Sequence, residues 1–187
     1  MINSFYSAEE LKRLGIKEYG NNIKISRYAR IYSPEKIKMG NNVRIDDYSI
    51  LSGNIVLGSN IHIAAYCGLF AGDYEIVLED FTTLSSRCAV YALTDDYSGE
   101  TMTNPTVAKE YKNVTGGRVT IGKHSIIGTG TTIFPNITVG EGVAVGSMSL
   151  INKDLEEWGI YYGIPCKKYK DRKKDLLLLE KKYKERR

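Results

Sequence analysis

The stretch VTIGKHSIIGTGTTIFPNITVGEGVAVG, residues 119–146, carries an aliphatic side chain at every sixth position. These step residues are Ile121, Ile127, Ile133, Val139 and Val145. A period of six fits neither an amphipathic helix, whose apolar face recurs about every 3.6 residues, nor a half-buried strand, whose side chains alternate. It is typical of a hexapeptide solenoid, in which each hexapeptide forms one flat wall and three hexapeptides close one coil.

The same repeat continues on both sides of this stretch. It slips once by three residues and breaks once for a long interval, and its other step residues are Met39, Ile45, Leu51, Leu57, Ile63, Leu69, Leu78, Leu84, Val90 and Ile151. All fifteen step residues are Ile, Leu, Val or Met, although those four types fill only 48 of the 187 positions. Chance does not produce such regularity, and the pattern predicts an all-β solenoid of stacked coils.

A second set of positions, four residues after each step, holds mostly small or β-branched side chains. Its members are Val43, Ser49, Ile55, Ile61, Cys67, Thr82, Cys88, Thr94, Ser125, Thr131, Ile137, Val143, Ser149 and Leu155, with Asp73 as the exception at the slip. Side chains of this size suit the tight interior corners of a coil. We therefore expect Cys67 and Cys88 to lie in the core and Thr94 to be the last inward residue before the interval.

The repeat divides the chain into three segments: an N-terminal cap over residues 1–20, a parallel β-helix over 21–165 with a loop at 95–117, and a basic C-terminal helix over 166–187. In the cap, SAEELKRLG predicts a short helix, because Ser7 and Glu10 have the spacing of a capping box. The apolar run 176–179 gives the C-terminal helix a face that can pack. Both caps are expected because an open solenoid end exposes unpaired strands.

The composition is that of an ordinary globular protein, with 42% hydrophobic and 26% charged residues. No apolar run approaches the about 20 residues that span a bilayer, and the N-terminus lacks the layout of a signal peptide. The three cysteines show neither metal-ligand nor disulfide spacing. We expect no membrane partner, no bound metal and a cytoplasmic location.

The net charge of +4 resides in the tail, because residues 171–187 contain eight Lys or Arg and four Asp or Glu. The other 170 residues contain 18 of each sign. Nucleic-acid-binding domains normally carry a basic face on the folded body. Nucleic acid is therefore not expected as a partner.

The repeat and the closing motif GIYYGIPCKKYKDR together resemble the left-handed β-helix acyltransferases that use coenzyme A. This resemblance implies an enzyme that forms a homotrimer and binds acyl-CoA, as a co-substrate, in the groove between neighbouring solenoids. The left hand of the coil is also implied by the resemblance and by nothing else, since the usual crossover rule would favour a right-handed coil. Carbonic anhydrases with the same repeat need three metal-binding histidines. This chain has only His62 and His124, so it is not expected to be one of them.

Five further motifs narrow the resemblance to the N-acyltransferases that act on dTDP-4-amino-4,6-dideoxyglucose. In chain order they are SFYSAEELKRLGI, NNVRIDDYSILSG, IHIAAYC, DDYSGETMTNPTV and WGIYYGIP. Such enzymes make N-acylated sugars of the viosamine and anthrose types for surface polysaccharides. The resemblance implies transfer of an acetyl or short hydroxyacyl group to a sugar amine, with the acyl group and the carbon that bears the amine left open.

The long loop begins with ALTDDYSG and contains no histidine, where sugar O-acetyltransferases of this fold have one. A hydroxyl needs a base during attack, whereas a neutral amine attacks a thioester unaided and then sheds a proton. The aspartates therefore favour nitrogen as the nucleophile. The resemblance implies that Asp95 contacts the sugar amine and that Ser85 orients it through its backbone carbonyl. Asp96 is either a second partner or a turn residue.

Both histidines are expected to face outward. His124 lies three residues after the step residue Ile121, and it is a candidate second base, packing residue or coenzyme contact. His62 follows the inward Ile61 and is a candidate contact for the nucleotide sugar or the neighbouring subunit. Nothing in the sequence around Cys166 indicates an activated thiol.

Candidate contacts for coenzyme A lie on the last coils, where small residues let backbone amides approach pantetheine, and in the tail, where cations suit phosphates. They are Gly128, Gly130, Gly146, Ser147, Lys153, Lys167 and Lys168. The alternative is that the glycines only meet the needs of tight corners and that the lysines belong to a solvated tail.

For the nucleotide sugar the candidates are Arg44 at the diphosphate, Tyr48 at the thymine, and Asn104 and Tyr111 over the sugar.

Two other functions fit the same repeat. One is an O-acetyltransferase acting on a galactoside-like hydroxyl, with His124 or a borrowed group as the base. The other is a non-catalytic β-helix that serves as an assembly or sugar-binding module.

Overall fold

A computed structural model describes residues 4–186. The predicted terminal segments 1–20 and 166–187 are therefore covered except for residues 1–3 and 187, which lie outside the described part.

The chain consists of short strands joined by tight corners. The strands are β1 Glu18–Tyr19, β2 Lys24–Ile25, β3 Arg30–Tyr32, β4 Ile37–Met39, β5 Val43–Ile45, β6 Ile50–Leu57, β7 Ile61–Ile63, β8 Gly68–Leu78, β9 Thr83–Leu84, β10 Ala89–Tyr91, β11 Leu93–Thr94, β12 Thr115–Gly116, β13 Val119–Ile121, β14 Ile126–Ile127, β15 Thr132–Ile133, β16 Thr138–Val139, β17 Ala144–Val145, β18 Leu150–Ile151, β19 Gly159–Tyr162 and β20 Lys167–Asp171. Helix α1 covers Ala8–Arg13, helix α2 covers Leu176–Glu185, and short 3-10 turns lie at Pro34–Lys36 and Lys109–Tyr111.

The strands stack into three parallel walls of a left-handed β-helix with about 7 turns, which confirms the predicted fold. The first wall contains β2, β5, β7, β9, β14, β17 and β19. The second contains β3, the first half of β6 and of β8, β10, β15 and β18. The third contains β1, β4, the second half of β6 and of β8, β13 and β16.

The interior is the predicted column of aliphatic side chains. All fifteen step residues are buried, and none is more than 4% exposed. The second set is buried too, with one exception: Thr94 is half-buried, so its prediction as an inward core residue is wrong. Thr94 leaves the wall because β11 pairs with β12 in a separate two-stranded ribbon. Cys67 and Cys88 lie in the core, each 1% exposed, as predicted.

Strand β14 offers a matched test of this packing, because its two residues are both isoleucine. Ile127 is fully buried, whereas Ile126 is 41% exposed. We expect Ile127→Ala to lower the free energy of unfolding by about 2–5 kcal/mol, since it removes core contacts and leaves a cavity. Ile126→Ala is expected to cost less than half as much. Urea unfolding of both variants measures the difference, and equal losses would contradict the assignment of the two faces.

The corners place many residues in the left-handed region of the backbone. At the corner between the third and first walls, Asn22, Asn42 and Asn60 have φ between 56° and 61°, where asparagine is among the best-tolerated residues. Their side chains form a ladder, with Asn22 donating to Asn42 at 2.8 Å and Asn42 to Asn60 at 3.1 Å. The ladder stabilises the stacking of successive coils.

Helix α1 precedes the first coil, whereas α2 packs against the side of the middle coils, on Phe81 and His124. Helix α1 begins at a capping box in which Ser7 and Glu10 cap each other's backbone amides, as predicted. The C-terminal helix is shorter than the predicted segment 166–187, because β20 first runs back antiparallel to β19 and α2 begins only at Leu176. No helix within residues 4–186 is long and apolar enough to cross a membrane.

The long loop leaves and re-enters the solenoid at one point, the corner between the second and third walls. Leu93 lies against Gly72, which has a φ of +56° where β8 turns this corner. On the return, the Gly117 amide donates to the Ala92 carbonyl at 3.0 Å. Gly116 packs so closely on the Ala92 carbonyl that no Cβ could be accommodated there. The loop is thus fixed at its base.

Candidate active site

The outer surface of the first wall brings several candidate residues into two adjacent columns. Backbone bonds between coils align Asp46, Ala64, Ser85, Gly128 and Gly146, which we call the Ser85 column. Two residues earlier on each coil, Arg44, His62, Thr83, Ile126 and Ala144 are in register. Coils stack about 4.8 Å apart. Ser85 therefore lies one coil beyond Ala64 and one coil before Gly128, in the middle of a continuous strip.

At the N-terminal end of the strip, one carboxylate holds two cationic or polar groups. Asp46 accepts from Arg44 Nε at 2.7 Å and contacts His62 Nε2 at 2.9 Å. Partial burial raises the pKa of Asp46, but the hydrogen bonds from Arg44 and His62 outweigh it, so the pKa lies below its ordinary value. The cluster presents donors to the surface and is suited to bind phosphate oxygens.

Three tyrosines form an exposed stack at the corner that follows this cluster. Tyr48 packs between Tyr28 and Tyr66, with ring centroids 5.7 Å and 5.0 Å away. All three rings are more than half exposed. Tyr48 was predicted to face outward from the sequence, whereas its two stacking partners were not singled out. An exposed aromatic face of this kind is suited to stack a nucleobase.

At the C-terminal end of the strip, the predicted glycines lie against the next coil. A Cβ on Gly128 would come within 2.5 Å of the Ser147 amide nitrogen, and one on Gly146 within 2.9 Å of Tyr162 Cβ. Gly130 has a φ of +72° and faces Met148. The structure of the corners by itself requires these glycines, so their presence does not demonstrate a coenzyme site.

The predicted lysines lie beyond these glycines and are all exposed. Lys168 is paired with Asp171 at 2.8 Å, and this hydrogen bond raises the pKa of its ammonium group. Lys153 and Lys167 have no ion-pair partner within residues 4–186. Cys166, close to Lys153, is buried, and burial raises the pKa of its thiol. This agrees with the expectation that Cys166 is not an activated nucleophile.

Asp95 and Asp96 differ sharply in their partners. Asp96 accepts from the amides of Ser98 at 2.7 Å and Thr101 at 2.9 Å, and also from the Thr101 hydroxyl. The hydrogen bonds from Ser98 and then Thr101 lower the pKa of Asp96 to about 2. Asp96 is a turn residue in this structure. The Asp95 carboxylate is half-buried and has no hydrogen-bond or ion-pair partner among the described residues.

The loop residues Asn104 and Tyr111 shape the loop itself. The side-chain oxygen of Asn104 accepts from the amide of Thr106 at 2.9 Å and from its hydroxyl at 2.6 Å. Lys112 Nζ donates to the Asn104 carbonyl at 2.8 Å. Tyr111 accepts a backbone bond from Met102 and leaves its ring 60% exposed. Tyr111 remains available to a ligand or a neighbouring subunit, whereas the side-chain oxygen of Asn104 is occupied.

Among the three roles that the sequence left open for His124, the structure favours packing. Its side chain points away from the solenoid core, but helix α2 covers it and leaves the residue 8% exposed. His124 Nε2 lies 2.8 Å from Glu180, and the imidazole stacks on Phe81 with centroids 5.0 Å apart. The helix anchors itself on this histidine, so packing is the interpretation that the structure favours over a second base.

This anchor makes a prediction for stability against pH. Burial raises the pKa of Glu180, but Lys123, Lys184 and His124 outweigh it and lower the pKa from 4.5 to about 2. Because folding lowers the pKa of Glu180, its ionised contact stabilises the folded state fully above about pH 4.5. This stabilisation is lost as the pH falls toward 2. We expect Glu180→Gln to lower the thermal midpoint at pH 7 but to match the unmodified protein near pH 2.

The control for this prediction is Glu185→Gln, on an exposed position of the same helix. Thermal unfolding followed by the fluorescence of Trp158, the single tryptophan, measures all three proteins. A Glu180→Gln deficit that persists unchanged at pH 2 would contradict the ionised contact.

Sequence reasoning missed three residues of this surface, Asp46, Tyr28 and Tyr66, and one hydrogen bond beneath it. Asp46 joins Arg44 to His62, and the motif NNVRIDDYSILSG contained it without indicating a role. Tyr66 extends the tyrosine stack. Cys67 donates its thiol hydrogen to the Ser85 carbonyl at 3.1 Å. Three hexapeptides separate Arg44 from His62, so counting one full coil along the sequence would have placed these two side chains next to each other. No group of three or more potential metal ligands occurs within residues 4–186.

The fold and the strip on its first wall define a left-handed β-helix acyltransferase. No family model matches the chain. A curated dTDP-4-amino-4,6-dideoxy-D-glucose acyltransferase from Escherichia coli is 41% identical over 178 residues, covering 94% of this chain and 92% of the relative. This chain therefore belongs to the dTDP-4-amino-4,6-dideoxyglucose acyltransferase family.

Solved structures of AntD, an N-acyltransferase from Bacillus cereus, are similar over the whole chain. A serine-to-cysteine variant in complex with dTDP-4-amino-4,6-dideoxyglucose and coenzyme A has a TM-score of 0.97 and 48% identity, covering 100% of both chains. A complex with dTDP and 3-hydroxybutyryl-CoA has a TM-score of 0.96 and 49% identity, covering 98% of both. Other AntD structures carry alanine or asparagine in place of one aspartate.

Proposed function

We propose that this protein transfers an acyl group from acyl-CoA to the amino group of dTDP-4-amino-4,6-dideoxyglucose. The observation that carries the proposal is the strip on the first wall, with the Asp46 cluster at one end, Ser85 in the middle and the predicted glycines at the other. AntD has been solved with the amino sugar and coenzyme A, and with dTDP and 3-hydroxybutyryl-CoA. Two substrates laid end to end along such a strip would meet at Ser85. Arg44, His62 and Tyr48 would bind the nucleotide, and the lysines would bind the coenzyme phosphates.

In the proposed reaction, the neutral amine attacks the thioester carbonyl. A carbon–nitrogen bond forms, and the carbonyl oxygen becomes an oxyanion. Collapse breaks the carbon–sulfur bond and releases coenzyme A as a thiolate. Asp95 accepts the proton that the nitrogen sheds and returns it to the thiolate. Its lack of a competing partner supports this role, while Ser85 fixes the amine through its carbonyl.

Positions known to have been varied in AntD support the same pair. The serine and the aspartate replaced in that protein are ten residues apart, as Ser85 and Asp95 are. The two chains align over their full lengths. Asp96, held in its turn by Ser98 and Thr101, is the weaker candidate.

The proposed homotrimer with shared active sites is supported by where Ser85 and Asp95 lie. Ser85 precedes the second wall and Asp95 follows it, so the wall separates them by roughly 20 Å, at about 3.3 Å per strand residue. One amine cannot contact both residues of a single chain. The loop of a neighbouring solenoid can bring its own Asp95 to the strip. Three free cysteines support a cytoplasmic location, where thiols remain reduced.

The experiment that tests the reaction offers two acceptors side by side. Free coenzyme A is measured by its thiol after the protein meets acetyl-CoA with dTDP-4-amino-4,6-dideoxyglucose, or with the analogue that has a 4-hydroxyl. We expect thiol release with the amine alone. Release with the hydroxyl analogue alone would overturn the proposal in favour of an O-acetyltransferase, and release with neither would favour a binding module.

A further inference from the structure

One hydrogen bond recurs inside successive coils at the corner between the first and second walls. An inward side chain donates to the carbonyl that ends the first wall on the next coil. The donors and acceptors are Ser49 to Ala64 at 2.9 Å, Cys67 to Ser85 at 3.1 Å, Cys88 to Gly128 at 3.2 Å, and Thr131 to Gly146 at 3.3 Å. Each acceptor belongs to the Ser85 column, so the core fixes the carbonyls of the strip from within.

At Ser85 the donor is a thiol, which is a weak hydrogen-bond donor. The Cys67 thiol is the sole partner of the Ser85 carbonyl within the described part of the chain. By contrast, the Gly146 carbonyl accepts from two hydroxyls, those of Thr131 and Ser149.

A carbonyl oxygen has two lone pairs. A strong donor on one lone pair withdraws electron density and weakens the bond that the other can accept. A weak donor holds the carbonyl in place and leaves the other lone pair able to accept a strong hydrogen bond. A serine at this position would reach the carbonyl, because Ser49 makes the same bond at 2.9 Å one coil earlier.

We propose that Cys67 is a positioning residue, which fixes the Ser85 carbonyl from the core while leaving it a strong acceptor for the sugar amine. This inference rests on the proposed function, in which that carbonyl binds the amine. The chain supplies its own control in Cys88, which is equally buried and donates to Gly128 instead. The same thiol-to-hydroxyl change at two adjacent corners should therefore affect the two substrates differently.

The experiment compares Cys67→Ser with Cys88→Ser in steady-state kinetics with both substrates. We expect Cys67→Ser to raise the KM for the amino sugar by about three- to tenfold, the effect of weakening one hydrogen bond. Its KM for acyl-CoA should not change. Cys88→Ser should leave the KM for the amino sugar unchanged. A third variant, Cys67→Ala, removes the donor and should lower kcat without raising the KM for the amino sugar.

Equal effects of the two serine variants on the amino sugar, or a rise of its KM in Cys67→Ala as large as in Cys67→Ser, would overturn the inference and leave Cys67 as a packing residue. Trimer mass and thermal midpoint identify any variant that fails to fold, and Cys67→Ala then decides. Failure of the proposed function is distinguishable, because the unmodified protein would itself acylate no amine.

Discussion

Asp95→Asn is expected to lower kcat for acyl transfer by about 10²- to 10⁴-fold, the usual contribution of a positioned proton acceptor. Asparagine preserves the size of the side chain and its ability to accept a hydrogen bond, but it cannot take up the proton that the attacking amine sheds. The Asp95 carboxylate has no partner among the described residues that the change would disturb. Stopped assays of coenzyme A release measure the loss, and an unchanged trimer mass and thermal midpoint show that the fold is intact.

The matched control is Asp96→Asn, one residue further along the same loop. Asparagine can keep one of the acceptor oxygens that hold Ser98 and Thr101, so the expected loss is under about tenfold. A larger loss in Asp96→Asn than in Asp95→Asn would transfer the role of proton acceptor to Asp96.

Two variants that are each inactive are expected to recover activity when they assemble together. Asp95→Asn retains an intact strip, and Ser85→Phe blocks the strip but retains an intact loop. If each active site combines the strip of one subunit with the loop of the next in a closed ring, about one site in three of every mixed trimer has both native parts. Coexpression with two affinity tags, followed by isolation of the mixed trimers, allows the recovered kcat to be compared with this fraction.

The pure trimers of each variant serve as the baseline for that comparison. Mixed trimers that are no more active than the two baselines would mean that strip and loop belong to the same chain. The roughly 20 Å between Ser85 and Asp95 across the second wall makes that outcome incompatible with direct contact of both residues with one amine.

The solenoid could be predicted because its information is local and repeated. Each step residue, from Met39 to Ile151, fills an equivalent place in a coil. Fifteen positions that agree in this way leave little room for a different fold. The register also placed Arg44 and Tyr48 on outward faces. Thr94 was misjudged because the same count was extended past the last coil before the loop, where β11 leaves the wall to pair with β12.

The contacts of α2 could not be predicted, since they join residues far apart in the chain. The hexapeptide pattern correctly directs His124 away from the core, but it has no information about Glu180, which covers it from 56 positions away. The bonds of Asp46 and Cys67 are of the same kind, because they depend on which side chains meet between adjacent coils. The resemblance favoured Asp95 over Asp96, and the turn that binds Asp96 supplies the physical reason for the difference.

The most direct measurement is the mass of the nucleotide sugar after incubation of the protein with acetyl-CoA and dTDP-4-amino-4,6-dideoxyglucose. We expect the mass to increase by one acetyl group, about 42 Da. Resistance of the product to mild base would show that the new group is on nitrogen. A parallel sample with 3-hydroxybutyryl-CoA compares the two acyl donors. An unchanged mass with both donors, from a folded trimer that binds coenzyme A, would contradict the assignment of this amine as the acceptor.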